Sequence, residues 1–460
     1  MTRKAVTWQM AAALGLGACL FPATALAANL TLHGAIQRAL IDQAVVQQAQ
    51  HMIAERQDQG RAAHADLLPA LSLSTGGIWT QNGNGQPRFV SANGARELIG
   101  QVRLQIPLYA PQAYALSALA RDRSAIARYR LQQTRLAVAA QVTMAYYQLA
   151  LDDNELAVWR KALAAARQML TATQEGYRAG TRSRLDLSQS RLTLMRIRLG
   201  LDQARPRARA ARRVLALQTG YGMAALPPLA PVAVPLSALP GGAMLRQQAD
   251  QSQPLLRVAD GEIQSARSLL HYQQAAQLPI IAATGAYGVD TSTLPQSQRL
   301  GWQAILSLQM PIFGFGRNRD RVAAAQEQVA AMRAAKAALR LQIRSRLAAD
   351  YGAAQAAANA LQDAQTLTRT ARTVYTMTRK GYLAGAESAL ALQQAENDWV
   401  QAQLQSAGAA IRARLTRAQL ALDSGLLPDQ RKPSCPLANA QCSTFLHAGP
   451  PLSASAPCSG

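Results

Sequence analysis

Apolar and polar positions along the chain alternate in two distinct rhythms, and the boundaries between them mark its elements. From Thr31 to Asp66, Ala, Leu, Ile and Val recur among Gln, Arg and Glu at helical spacing, until Pro69 stops the run. The rhythm then changes to period two. Over 97–108, Leu98, Gly100, Val102, Leu104 and Ile106 share one parity, and Gln101, Arg103 and Gln105 share the other. Such alternation gives a strand one apolar and one polar face. A partner strand is predicted over 70–80, and a polar, turn-rich loop separates the two.

Pro107 and Pro111 are expected to close that strand, and a helical pattern then runs from about Gln112 to Gly176. Val142, Leu149, Leu156, Leu163 and Leu170 fall at intervals of seven, a coiled-coil seam. Such a helix would extend about 95 Å. A turn at 176–182 leads into a second helix over about 183–220, which Pro206 is expected to kink or break.

The pattern then repeats. A Pro/Ala-rich connection covers 221–245, followed by a helix over 246–277, strands over 280–289 and 301–310, a long helix over 318–379, a second turn, and a helix to about Asp423. Trp302, Ala304, Leu306, Leu308 and Met310 make the apolar face of the last strand, with Ile305 the one apolar residue on the other face. GYRAGTRSRLDLSQS at 176–190 answers GYLAGAESALALQQA at 381–395, with Gly176 and Gly381 lying 205 positions apart. Tandem copies are expected at 28–220 and 246–425, each ending in a long helical hairpin.

Targeting signals come next. Arg3 and Lys4, an apolar run and Ala25-Leu26-Ala27 compose a secretory signal over 1–27, too short to span a membrane. Cleavage after Ala27 is favoured over acylation at Cys19, which lies in the lipobox-like Leu16-Gly17-Ala18-Cys19. Pro, Ser and Ala dominate 426–460 and predict a disordered tail, in which Cys435 and Cys442 could pair and leave Cys458 free. Net charge is +23. A basic coiled coil binding nucleic acid, suggested by RPRARAARR at 205–213, is the different-class alternative. Export and alternating strands argue against it, so no nucleic-acid partner is expected. His33, His51, His64, His271 and His447 show no metal spacing, and no phosphate loop or nucleophile elbow is present. Neither cofactor nor catalysis is expected.

An exported chain can turn apolar strand faces to lipid, but lipid accepts only closed barrels, and small barrels need about eight strands. Four strands per chain therefore call for an oligomer. A soluble four-stranded sheet packed on helices is the alternative.

The tandem order of helix, strand pair, very long helix, G-Y-x-x-G turn and helix resembles the TolC family of outer membrane efflux proteins over residues 30–425. Gly176-Tyr177-Arg178-Ala179-Gly180-Thr181 with Asp186, and Gly381-Tyr382-Leu383-Ala384-Gly385, carry the likeness. The resemblance implies an α+β membrane protein, a homotrimer with a twelve-stranded barrel in outer membrane lipid and an α-helical periplasmic tunnel. It also implies a periplasmic adaptor and an inner membrane RND pump or ABC transporter. Small-molecule efflux is favoured over type I protein secretion because it is the commoner use of this architecture.

In that family the turns form a periplasmic gate, held by a tyrosine and a basic residue of the second turn and an aspartate of the first. Tyr382 and Asp186 occupy two of those positions, but Glu387 stands at the basic one. Two acids do not bond each other at neutral pH. The expectation is an inverted lock, with Glu387 facing Arg182 or Arg184 and Tyr382 bonding Asp186; the alternative is a set of solvated turn charges. Ala391 and Gln394 replace the acidic entrance ring of some members. Arginines from Arg191 to Arg213 make the flanking helix strongly basic, either a lumen favouring anions or an exposed coiled-coil face. Ala179-Gly180 and Ala384-Gly385 match the small-residue tip that receives the adaptor.

Overall fold

The structure is a computed structural model describing residues 29–427, apart from 84–85, 88–95, 223–224, 232–235, 237 and 292–299. Cys19, the signal segment, Cys435, Cys442, Cys458 and nearly all of the tail lie outside the described residues. Each repeat begins with a helix pair: α1 (Leu32–Asp42) and α2 (Ala44–Ala65), then α5 (Gly242–Ser252) and α6 (Pro254–Ala275). Two long hairpins follow the strands: α3 (Pro111–Arg178) with α4 (Arg184–Thr219), and α7 (Arg317–Leu383) with α8 (Ala389–Asp423). At 68 residues α3 extends about 100 Å. No described helix is long and apolar enough to cross a membrane.

The helix expected over 31–66 is two helices, split at Gln43. Gln43 adopts an extended backbone between α1 and α2, and Gln253 does the same between α5 and α6. Each glutamine turns its side chain to account at the break. Gln43 Nε2 donates to the Gln218 carbonyl at 2.9 Å, and Gln253 Nε2 donates to the Asp423 carbonyl at 2.9 Å. Those carbonyls lie in the last turns of α4 and α8, where helices leave acceptors without intrahelical partners. The two repeats thus close on themselves by the same bond.

The strands β1 (Ala70–Trp79), β4 (Arg96–Tyr109), β5 (Ile280–Thr291) and β6 (Gly301–Gln309) form one antiparallel sheet in the order β1-β4-β5-β6. A two-residue pair, β2 (Asn82–Gly83) with β3 (Gln86–Pro87), lies in the loop after β1. Register aligns the apolar rows: Leu71 faces Leu104, Leu73 faces Val102, Val102 faces Tyr287, and Tyr287 faces Trp302. That face is bare in the chain. Trp79, Trp302 and Leu306 are 76%, 79% and 72% exposed. Within the chain β1 and β6 each pair on one side only, leaving two open edges.

Two proline expectations are corrected. Pro107 does not end the strand: β4 runs on to Tyr109, with the ladder slipping register between Pro107 and Tyr109. A residue without an N–H is accommodated at such an irregularity, whereas Pro111 sits at the first helical position of α3, where no donor is needed. Nor does Pro206 break α4, which is helical from Arg184 to Thr219. Pro206 faces solvent, so the carbonyl it deprives can be hydrated, while Leu201, Ala204 and Ala208 are buried on either side of it. Packing outweighs the local penalty.

The core is strung along the helices. Its largest cluster joins α1, α3, α4 and α8 around Ile36, Val142, Leu149 and Leu215. Tyr146 is buried there and donates its hydroxyl to the Leu30 carbonyl at 3.0 Å. Leu30 also bridges Leu229, tying the first residues described to the connection between repeats.

Candidate functional site: the hairpin tips

Both tips are built by one local rule. Thr181 N–H donates to Gly176 O at 2.9 Å and Gly180 N–H to Tyr177 O at 3.1 Å; Ala386 to Gly381 and Gly385 to Tyr382 repeat the pattern at 2.8 and 3.1 Å. These are Schellman motifs, whose left-handed residue is Gly180 at φ +74° and Gly385 at φ +82°. Gly176, where the first long helix is expected to end, and Gly381, expected in the second turn, instead lie within α3 and α7. Their use is spatial: a Cβ on Gly176 would stand 2.6 Å from Arg182 Cγ, and one on Gly381 would stand 2.6 Å from Glu387 Cγ. The missing side chain lets the sixth residue onward fold over the helix end.

The return helices are capped alike by serine. Asp186 N–H donates to Ser183 Oγ at 3.1 Å, and Ala391 N–H donates to Ser388 Oγ at 3.1 Å. In the first tip Asp186 completes a capping box, accepting from Ser183 N–H at 3.0 Å and from its hydroxyl at 2.9 Å. Ala391 offers the second tip no such acid.

Beyond these shared bonds the tips diverge. Tyr177 is exposed, whereas its counterpart Tyr382 is 2% exposed and packs with Met169, Tyr375 and Leu392. The Arg182 guanidinium lies 3.9 Å from the centre of the Tyr382 ring and also donates to the Tyr382 carbonyl. The Tyr382 hydroxyl lies 3.3 Å from Thr173 Oγ1, and Ser190 Oγ donates to that same oxygen at 3.2 Å. Thr173, itself 1% exposed, donates to Met169 O at 2.9 Å. Tyr382 of the second hairpin is thereby bonded to α3 and to the turn of the first, and Ser190 of α4 joins the same chain of hydroxyls through Thr173.

The expected pairings are not those formed within the chain. Tyr382 meets Thr173 rather than Asp186, because the Asp186 carboxylate is committed to its own helix cap. Arg182 stacks on Tyr382, and no ion pair joins Glu387 to Arg182 or Arg184 among the described residues. Arg184 and Glu387 are exposed, as are Ala179, Gly180, Ala384 and Gly385 at the extreme end.

The role of Thr173 and Ser190 is not legible in a seven-residue pattern, because contact with the second hairpin decides it. Val142, Leu149, Leu156 and Leu163 are buried as expected, but the fifth seam position passes from Leu170 to Met169. Met169 packs with Tyr375 and Tyr382 of α7 and Leu392 of α8, so contact with the second hairpin selects the buried face here, and Thr173 follows Met169 at helical spacing. Glu396, which no motif singles out, is a buried acid on α8, 5% exposed. Burial raises its carboxyl to about 7, against the lowering influence of Arg379.

A tandem pair of long hairpins carrying a bare-faced four-stranded sheet has known counterparts. The family model of outer membrane efflux proteins matches residues 35–221 and 245–426. The chain belongs to this family.

Among solved structures, the chain is similar to a membrane protein from Pseudomonas aeruginosa, with a TM-score of 0.75 at 18% identity, covering 86% of this chain and 90% of that one. CusC matches with a TM-score of 0.75 at 19% identity, over 87% and 93% of the two chains. The Campylobacter jejuni CmeC outer membrane channel matches at 0.73 and 14%, over 86% and 85%. No curated protein matches the chain. As an outer membrane efflux protein the chain is a channel and not an enzyme. It resides in the outer membrane, with its long helices making a large periplasmic part.

Proposed function

We propose that three copies of the chain close a twelve-stranded barrel and a helical tunnel, through which small molecules leave the periplasm for the exterior. The observation that carries this reading is the sheet: its apolar face is bare and both its edges are open. An open edge in lipid leaves backbone groups without partners, so β6 of one copy pairs with β1 of the next. Three times four strands satisfies the closure requirement for a barrel.

The hairpin tips form the periplasmic entrance. Tyr382, with Arg182 stacked on it, holds the second hairpin to the first, and Asp186 fixes the start of α4. Arg184 and Glu387, exposed and without an ion pair among the described residues, meet across neighbouring copies. The small exposed residues Ala179, Gly180, Ala384 and Gly385 let the backbone of an adaptor hairpin approach closely. Energy for transport comes from an inner membrane pump of RND or ABC type reached through that adaptor.

Solution mass of the detergent-extracted protein tests assembly: three chains are expected, and a stable monomer overturns the barrel. Deleting the gene tests cargo. Lost resistance to small toxic compounds supports this reading, whereas intact resistance with loss of a secreted protein assigns the chain to type I secretion.

A further inference from the structure

Above the Tyr382 contact, the seam of α8 runs Ala389, Leu392, Glu396 and Trp399, at intervals of three and four. An acid therefore occupies a position that the pattern reserves for an apolar side chain. The site is the junction of all four long helices. Met169 of α3, Thr193 of α4, Tyr382 of α7 and Glu396 border a cavity of about 20 Å³, room for a single water.

Little there compensates a negative charge. α3 and α4 bring uncharged groups, Met169, Gln189, Ser190 and Thr193. From α7 come Tyr375, Tyr382 and the exposed Arg379, whose charge acts on the carboxyl. Gln393 lies beside it on α8. An ionised carboxylate in such a place is strongly disfavoured, and a neutral carboxyl is not.

We propose that Glu396 is a proton-operated latch between the two hairpins, neutral while they are packed together and ionised when they part. Parting the hairpins admits water to the carboxyl and releases its proton. Packed, the group titrates near 7; hydrated, it returns toward the ordinary carboxylate value of 4.5. Its support for the packed state is therefore complete below about 4.5 and fades as pH rises through about 7. Acid holds the hairpins together and mild alkali frees them. Trp399, stacked on Tyr375 at 4.6 Å, keeps the neighbouring turn packed, so the latch acts at the tip rather than along the whole bundle.

The latch gives a pH response to the entrance assigned to these tips and rests on that assignment, but its test does not. Spin labels at Ser188→Cys on α4 and Gln394→Cys on α8, with the native cysteines changed to serine, report hairpin separation in the full-length protein in liposomes. One labelled chain is diluted among unlabelled copies. Between pH 5 and pH 8 the ratio of separated to packed populations is expected to rise at least about tenfold. Glu396→Gln should keep the short distance at both pH values. Arg379→Gln, which removes the compensating charge, should move the midpoint to higher pH. Identical distances at pH 5 and pH 8, or a Glu396→Gln protein that responds like wild type, overturn the latch. Bilayer conductance recorded alongside separates the two ideas: distances that respond while conductance does not leave the latch standing and remove the entrance assignment.

Discussion

The guanidinium of Arg182 lies 3.9 Å from the centre of the Tyr382 ring, and the two residues belong to different repeats. Their counterparts are Glu387 and Tyr177, which make no such contact. The two turns share the tyrosine, and an arginine present in only one of them lets the first turn clasp the second. Stacking and a charge-assisted bond to the Tyr382 carbonyl together contribute about 2 kcal/mol. Arg182→Ala should therefore loosen the hairpin junction and raise resting conductance in planar bilayers, with Arg182→Lys intermediate.

Gly176→Ala should reproduce the Arg182→Ala phenotype, because the new methyl would occupy the path of the Arg182 stem. Gly381→Ala displaces the stem of Glu387, which has no ion pair among the described residues to lose. Its effect on conductance should be smaller. Equal effects from the two alanines would refute the asymmetry.

The glutamine at each helix break is expected to contribute about 1 kcal/mol through its single bond to a carbonyl of α4 or α8. Gln43→Ala and Gln253→Ala should each lower the thermal transition of the assembled protein. The two sites bond different helices, so the double variant should show the sum.

A second titrating acid, Asp423, gives stability its own pH dependence. Burial, then the neighbouring carboxyl of Asp350, raises Asp423 to about 7, while Arg346 at 3.2 Å opposes the rise. The folded value exceeds the unfolded value of 3.8, so this group favours folding fully below about 4 and progressively less as pH rises through 7. Asp423→Asn should flatten the dependence of the melting temperature between pH 5 and pH 8, and should raise that temperature at pH 8.

Leu306 is 72% exposed on the apolar face of β6, whereas Gln303 lies on the opposite face. Leu306→Arg is expected to disfavour insertion by about 2–4 kcal/mol if the residue lies near the bilayer midplane. Gln303→Arg should insert normally and change ion selectivity. Fractionation of outer membranes checks the first outcome, and reversal potential the second.

Sequence alone determined the elements, the two-fold repeat and the faces of the strands. Those properties follow from periodicity, proline and glycine, which act within a few residues of themselves. The strand limits near Ala70, Ile280 and Gly301 and the turns at Gly180 and Gly385 were accordingly legible, and the family resemblance followed from their order. Tertiary structure decided everything that depends on contact between distant residues. It kept α4 whole through Pro206, split the first helix at Gln43, and moved the seam from Leu170 to Met169. It also gave Asp186 to its own helix cap and Tyr382 to Arg182 and Thr173. A side chain with several competing partners takes the one that packing brings within reach, and the contact between the two hairpins settles which one that is. Local pattern sets what each turn is; only the packed pair of hairpins sets what it holds.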